Sequence, residues 1–218
     1  MPRTARLVTE LVGTFIFLSV IALSGAAGSL APLAIGTALT AMVYMGGHIS
    51  GAHYNPAVSF GIFLRRRTSA VDMLAYWAAQ LVGAVLAFGL GYLVSGHSPG
   101  IHPGPNANIY QALAVEILFT TALVLVILNV AFTRALQGNS FYGIAIGFVI
   151  ATAIFVGGPV SGGAYNPAVG IGATLASAMF AGGAWSDVWL YVAGPFIGAA
   201  IGSAIHGLQT GRDQASDP

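Results

Sequence analysis

The sequence contains the triplet Asn-Pro-Ala twice, with one copy in each half of the chain. The first copy lies in SGAHYNPAVSF, residues 50–60, and the second in SGGAYNPAVGI, residues 161–171. The six residues are Asn55, Pro56, Ala57, Asn166, Pro167 and Ala168. Asparagine is a favoured helix N-cap, proline suits the first helical position, and alanine permits close packing. Each triplet therefore predicts a helix start that also presents the donor hydrogens of a carboxamide.

Two such helix starts aimed at one place would discriminate by charge. A helix N-terminus carries about half a positive charge, so two of them disfavour a cation where they meet. An uncharged solute feels this field much less and can accept hydrogen bonds from the asparagine side chains. The chemistry predicted from the triplets is thus the handling of neutral solutes.

Two acidic residues repeat in the same manner. Glu10 opens ELVGT, residues 10–14, and Glu116 opens EILFT, residues 116–120. Acidic side chains inside apolar segments usually have a bonding partner. Their recurrence indicates that the chain contains two copies of one structural unit.

The composition places these residues in a lipid bilayer. Of the 218 residues, 56% are hydrophobic and 6% are charged, whereas soluble domains carry about 25% charged residues. This length has room for about six spans of roughly 20 residues. The formal net charge of +1 argues against a nucleic-acid partner. The absence of cysteine excludes disulfides, thiol catalysis and cysteine metal sites.

Apolar runs between glycines and prolines predict an all-α membrane protein. Six runs are long enough to cross a bilayer, and two can cross only half of it. The six predicted spans are 6–26, 31–48, 71–94, 108–132, 141–157 and 185–207. The two half-helices, 55–64 and 166–180, each begin at an Asn-Pro-Ala triplet. The predicted fold therefore has six transmembrane helices plus two re-entrant half-helices.

The basic residues predict the orientation of the spans. With six spans, all of them fall on the side of the two termini: Arg3, Arg6, Arg65, Arg66, Arg67, Arg134 and Arg212. The opposite connections, near 27–30, 95–107 and 158–165, contain neither lysine nor arginine. The excess of positive charge on cytoplasmic loops then predicts that both termini are cytoplasmic.

The repeat predicts an inverted architecture within a single domain, 1–218. Each unit, about 1–105 and about 106–218, has three spans with a half-helix after the second. Because three is odd, the second copy runs upside down relative to the first, and the two half-helices meet near the midplane. Irregular backbone at that depth must be buried in protein or face water. We therefore expect segments 47–54 and 158–165 to line an aqueous path.

These motifs resemble the aquaporin family over essentially the whole chain. The resemblance rests on the paired NPAV motifs at 55–58 and 166–169, on GGHISGAHYNPAV at 46–58, on the paired glutamates and on the predicted layout. It implies a passive channel for water and small neutral solutes, normally a homotetramer with one pore per subunit. It also implies that Glu10 and Glu116 accept hydrogen bonds from the re-entrant backbone. A chain with short tails suits a prokaryotic cytoplasmic membrane.

The resemblance also gives four positions for the narrowest point of such a pore. They lie twenty residues before the first triplet asparagine, and twelve before, three before and three after the second: Ile35, Ile154, Gly163 and Val169. Water-specific members of the family that the chain resembles usually have Phe, His, a small residue and Arg at these positions. Only the small residue is kept here, which predicts an apolar, arginine-free filter wide enough for solutes of the size of glycerol, urea or metalloid hydroxides.

Other classes of function are distinguished by their residues. A secondary transporter also has inverted repeats, but coupling to ions needs ionisable residues near the midplane, where Glu10 and Glu116 are the candidates. A structural membrane protein with a closed pore is a further alternative. No nucleophile–base pair and no metal constellation appears in the predicted spans, so an enzyme is not predicted. His48 and His53 have no second acid or cysteine at metal spacing, so we expect no metal and no cofactor.

Overall fold

A computed structural model describes residues 1–98 and 100–210 of the chain. Within those ranges it contains six long helices, two short ones and no strand. The long helices are α1 (Arg3–Leu23), α2 (Ala31–Ser50), α4 (Ala70–Ser95), α5 (Ile109–Ile127), α6 (Tyr142–Ser161) and α8 (Val188–Thr210). The short helices are α3 (Pro56–Leu64) and α7 (Pro167–Ala181). The predicted architecture of six spans and two half-helices is confirmed.

The long helices have the length and apolarity of membrane spans. Five apolar helical stretches qualify, and the first, Arg3–Ser50, contains both α1 and α2 joined by a short 3-10 segment, Ser24–Leu30. Helix α5 continues into a π-helical turn, Leu128–Phe132, within the third stretch. The chain is therefore a multi-pass membrane protein.

The two halves of the chain make corresponding packing contacts. Helix α1 packs against α2 and α4, and α5 packs in the same way against α6 and α8. Helices α2 and α6 meet across the two halves. Each half-helix also crosses over, because α3 packs more extensively on α8 than on α4, and α7 more on α4 than on α8. This exchange interlocks the repeats, while their boundary near residue 105 stays a prediction.

One end of the bundle carries Arg3, Arg6 and Arg65. Arg3 Nε lies 3.3 Å from an oxygen of Asp72, at the start of α4. Arg6 contacts both oxygens of the same carboxylate at 3.3 Å. Arg65, just after α3, donates to Thr210 at the end of α8. These contacts place the starts of α1 and α4 and the ends of α3 and α8 at one end.

At the opposite end of the bundle, two loops contact each other. His102, in the connection between α4 and α5, lies 3.0 Å from the carboxylate of Asp187, in the connection between α7 and α8. The backbone N–H of Gly104 donates to Val160 near the end of α6. Arg212, which the orientation prediction counted at the basic end, lies outside the described residues.

The predicted irregular segments 47–54 and 158–165 are too long. Helix α2 continues to Ser50 and α6 to Ser161, so the non-helical stretches before the triplets are 51–54 and 162–165. Glycines that favoured an earlier helix end serve close packing instead. A Cβ atom at Gly46 would overlap the hydroxyl of Tyr54, and one at Gly157 would overlap the hydroxyl of Tyr165. The glycines leave room for these two rings without ending the helices.

Candidate functional site

The two triplet asparagines cap their half-helices and bond to each other's loops. Asn55 Oδ1 accepts the N–H of Ala57 at 2.9 Å, and Asn166 Oδ1 accepts that of Ala168 at 2.9 Å. The carboxamide nitrogens reach across: Asn55 Nδ2 donates to Tyr165 O at 2.9 Å, and Asn166 Nδ2 donates to the carbonyl preceding Asn55 at 3.0 Å. The structure thus brings the N-termini of α3 and α7 together end to end.

The loops before the asparagines contain residues with left-handed backbone. Six of them have positive φ: Gly51 (89°), Ala52 (51°), Tyr54 (48°), Gly162 (90°), Gly163 (77°) and Tyr165 (50°). For residues other than glycine this conformation is uncommon and costs about 1–3 kcal/mol each, so the surroundings must hold it in place. The main restraint on each loop comes from a buried carboxylate.

In the first half that carboxylate is Glu10 on α1, which is fully buried. Its Oε1 accepts from the hydroxyl of Ser50 at 2.7 Å and from the backbone N–H of His53 at 2.9 Å. Its Oε2 accepts from the N–H of Tyr54 and from Gln80 Nε2, both at 2.8 Å. Four donors therefore hold one carboxylate, and two of them belong to the backbone of the re-entrant loop.

In the second half Glu116 on α5 occupies the corresponding position. Oε1 accepts from the Ser161 hydroxyl at 2.8 Å and from the N–H of Ala164 at 3.0 Å, and Oε2 accepts from the N–H of Tyr165 at 2.7 Å. The pattern matches that of the first half except that α8 supplies no side-chain donor, because Pro195 stands where α4 has its glutamine. Both glutamates are thus tied to the loop backbone.

The first half contains a further buried polar contact. His53 Nδ1 lies 3.0 Å from the hydroxyl of Ser59, which also accepts from Gln80 Nε2 at 3.1 Å. In the second half, Ala164 and Gly170 occupy the positions of the histidine and the serine. The surroundings of the two asparagines are therefore more polar on the side of α3.

A narrow cavity, here called the central cavity, passes the two asparagines. The space in it that the centres of water molecules can occupy is about 20 Å³. Its walls are mostly hydrocarbon, with His53 and the two asparagines as the polar side chains besides a loop tyrosine. The lining residues are Phe17, Ile21, Leu39, Ala52, His53, Tyr54, Asn55, Val58, Leu123, Ile127, Ile146, Ile150, Ile154, Gly163, Ala164 and Asn166. The arrangement can bring a small solute to the asparagine donors along an apolar wall.

A second cavity, here called the side cavity, lies at the end of the bundle opposite the arginines. It is bounded by α1, α4 and α7 and by the connection after α4. The lining residues are Ile21, Ala22, Phe88, Gly91, Tyr92, His97, Ser98, Gly100, Ile101, Gly162, Val169 and Ala173. Ile21 lines both cavities.

The four residues predicted for the constriction divide between these spaces. Ile154 and Gly163 line the central cavity, and Val169 lines the side cavity. Ile35, 4% exposed, lies in the buried core of α2. Of the described residues of α2, it is Leu39, one turn further along, that lines the central cavity. The filter of these four residues stays a prediction.

Sequence reasoning missed the contribution of α1 and α5 to the central cavity. The residues seven and eleven positions after each glutamate line it: Phe17, Ile21, Leu123 and Ile127. Positions i, i+7 and i+11 share one face of a helix, so the repeated glutamates were the signal that could have found them.

Comparison with known proteins gives one consistent family. The family model described as "Major intrinsic protein" matches residues 3–206. Aquaporin NIP1-1 of Zea mays is 38% identical over 175 residues, which are 79% of this chain and 60% of that protein. Nodulin-26 of Glycine max is 37% identical over 175 residues, 79% of this chain and 62% of that protein. Probable aquaporin TIP3-2 of Oryza sativa subsp. japonica is 38% identical over 187 residues, 84% of this chain and 69% of that protein.

The match thus spans about 60% of the length of the maize and soybean relatives. Among solved structures, the X-ray structure of the aquaglyceroporin from Plasmodium falciparum superposes with a TM-score of 0.75. Its sequence is 23% identical, and the match covers 94% of each chain. At that identity the likeness shows a common fold.

Proposed function

Because this chain belongs to the major intrinsic protein family, whose aquaporin members are channels and not enzymes, we propose that it forms a passive pore for water and small uncharged solutes. The observation that carries the proposal is the meeting of the two asparagines. Their carboxamides bridge the N-termini of α3 and α7 and line the central cavity between apolar walls.

The donor count at the asparagines suits a neutral solute. A carboxamide nitrogen has two hydrogens, and one from each asparagine goes to a loop carbonyl of the other half. The second hydrogen of each can bond to a solute oxygen in the cavity. The two helix N-termini add about half a positive charge each at this point, which opposes cations but acts little on water or a polyol.

The acidic residues favour a channel over a coupled transporter. Transport coupled to ions needs ionisable groups that bind and release them near the midplane. Glu10 and Glu116 are fully buried, and the donors described above hold both oxygens of each carboxylate. We assign them to support of the loops.

We further propose that solutes larger than water pass. A solute that sheds water and finds no replacement hydrogen bond loses about 1–3 kcal/mol, and an apolar filter of Ile35, Ile154 and Val169 replaces few such bonds. However, a filter without the bulk of Phe, His and Arg is wider, so a solute can keep part of its hydration. We propose that a loop carbonyl near Gly163 adds an acceptor. Width then favours solutes of the size of glycerol, urea or a metalloid hydroxide.

The setting that we propose is a homotetramer in the cell membrane with both termini cytoplasmic. The arginine contacts at one end of the bundle support this orientation, because basic residues are retained on the cytoplasmic side. The opposite end, with the His102–Asp187 pair, would then face outward.

Flux through proteoliposomes tests the proposal. We expect water and neutral-solute flux that rises linearly with the gradient, does not saturate and does not depend on ions. Saturating or ion-coupled flux would indicate a secondary transporter instead, and the absence of flux from well-folded protein would indicate a closed structural protein.

The filter is tested by Val169→Arg with Val169→Leu as its control. The arginine adds both bulk and fixed donors, so stopped-flow light scattering should show a larger loss of glycerol and urea flux than of water flux. Leucine adds bulk alone and should give the smaller change. A wild type that conducts water rapidly but no larger solute would contradict the wide-filter proposal.

A further inference from the structure

Ile21 on α1 borders both cavities, whereas none of the four predicted filter residues lines both. Its side chain lines both the central cavity and the side cavity. Ile154 and Gly163 line the central cavity, whereas Val169 lines the side cavity. In this chain, therefore, the residue three positions after the second triplet asparagine lines the side cavity, which Ile21 also borders.

The backbone that carries Ile21 is held in close contact with α4. A Cβ atom at Gly91 would lie 2.6 Å from that of Ala22, the residue next to Ile21. Two turns earlier, a Cβ at Gly83 would lie 2.7 Å from the carbonyl oxygen of Leu11. Helix α1 cannot move toward α4 without overlap, so a change of side chain at position 21 should not be offset by a shift of the helix.

The far wall of the side cavity is similarly fixed. Phe88 packs on α7, where a Cβ at Gly172 would lie 2.8 Å from its ring. On the loop side, a Cβ at Gly162 would lie 2.7 Å from the carbonyl oxygen of His102. These close contacts fix the part of the wall that α4, α7 and the loop before α7 provide, so that part should stay in place when residue 21 is changed.

We infer that Ile21 is a specificity-determining residue of this pore, because its side chain closes the side cavity off from the central cavity and so sets the width available at the level of Val169. This inference rests on the proposed channel function. Val169 lines the side cavity, so on this inference the width of the passage at its level depends on the carbon atoms of residue 21.

The test is the ratio of glycerol flux to water flux in proteoliposomes of the wild type, Ile21→Ala and Ile21→Phe. Alanine removes three carbons and joins the cavities, so the ratio should rise about tenfold, the discrimination that roughly one methylene provides in a tight apolar site. Phenylalanine should lower the ratio. Because the two changes act in opposite directions, a general loss of folding cannot imitate both results.

Two comparison variants distinguish the position of Ile21 between the cavities from a general effect of truncating an isoleucine. Ile127→Ala removes the same three carbons from the corresponding position of α5, which lines the central cavity but does not border the side cavity; its ratio should change less than that of Ile21→Ala. Ile16→Ala truncates an exposed residue of α1, 40% exposed, and should leave the ratio unchanged.

The outcomes distinguish this inference from the function on which it rests. A conducting wild type in which Ile21→Ala gives the same ratio as Ile127→Ala would overturn the role of Ile21 alone. A wild type without any solute flux would overturn the proposed function, and the inference with it.

Discussion

At the residue scale, each triplet asparagine does two tasks with one side chain. The oxygen caps its own half-helix, and the nitrogen bonds to the loop of the other half. An aspartate could cap equally well but has no hydrogen to donate, and a serine is too short to reach across. The residue type is therefore set by the pairing of the two halves as much as by helix capping.

This dual role predicts an unequal cost for removing two asparagine caps. Asn166→Ala should lose the cap, about 1 kcal/mol, and leave the buried carbonyl of Tyr54 unpaired, about 1–3 kcal/mol more. Asn108 is an exposed N-cap of α5 without a bond across the repeats, so Asn108→Ala should lose the cap alone. Unfolding of both variants in detergent measures the difference in their free energies of unfolding. Equal losses would contradict a stabilising role for the crossed hydrogen bonds.

At the element scale, small residues decide how closely the helices approach the loops. Gly157 on α6 admits the ring of Tyr165, whose hydroxyl donates to Ala153 O at 3.0 Å. Gly46 on α2 does the same for Tyr54, which donates to Met42 O at 3.0 Å. These tyrosines tie the irregular backbone to regular helices at the depth where the half-helices begin.

The packing role of these glycines can be tested by comparing Gly157→Ala with a glycine-to-alanine change at an uncrowded position. Gly157→Ala should destabilise the protein by about 1–3 kcal/mol, because the new methyl overlaps the tyrosine hydroxyl. Gly89→Ala on α4, where a Cβ meets nothing within 4 Å, should instead stabilise by about 0.5–1 kcal/mol through helix propensity. Thermal unfolding in detergent reports both signs. Stabilisation of the protein by Gly157→Ala would show that the loop is not held there.

The elements were largely predictable from hydropathy, and the details of the site were not. Apolar length identifies spans because lipid allows little else. It does not say that α2 extends to Ser50, because glycine favours both helix ends and close contacts. It also does not say that Leu39 of α2 lines the central cavity. Which face of a helix borders a cavity depends on packing against its neighbours, which a count along the chain does not contain.

At the scale of the whole molecule, the two repeats agree in scaffold and differ in polarity. Both have a buried glutamate, a crossed asparagine and a half-helix that packs most on the opposite repeat. The first repeat adds the contact of His53 with Ser59, for which the second has apolar residues. The two repeats thus support the proposed pore with the same scaffold, but the wall from the first repeat is more polar than the wall from the second.

The absence of cysteine from the chain allows the path itself to be tested. A thiol placed in the central cavity becomes reactive toward a mercurial that enters from water. Leu39→Cys puts one on the cavity wall, and Leu86→Cys puts one on the outer surface of α4, where the native side chain is 51% exposed. The two variants differ in whether a bound mercury atom stands in the proposed path.

The most direct measurement is therefore the water and neutral-solute flux of the wild type, Leu39→Cys and Leu86→Cys before and after a mercurial, and again after a thiol reagent. We predict that the wild type and Leu86→Cys keep their flux, and that Leu39→Cys loses most of its flux and recovers it with the reagent. Rapid block of the cysteine-free wild type, or a labelled Leu39→Cys that conducts as before, would contradict a path through the central cavity.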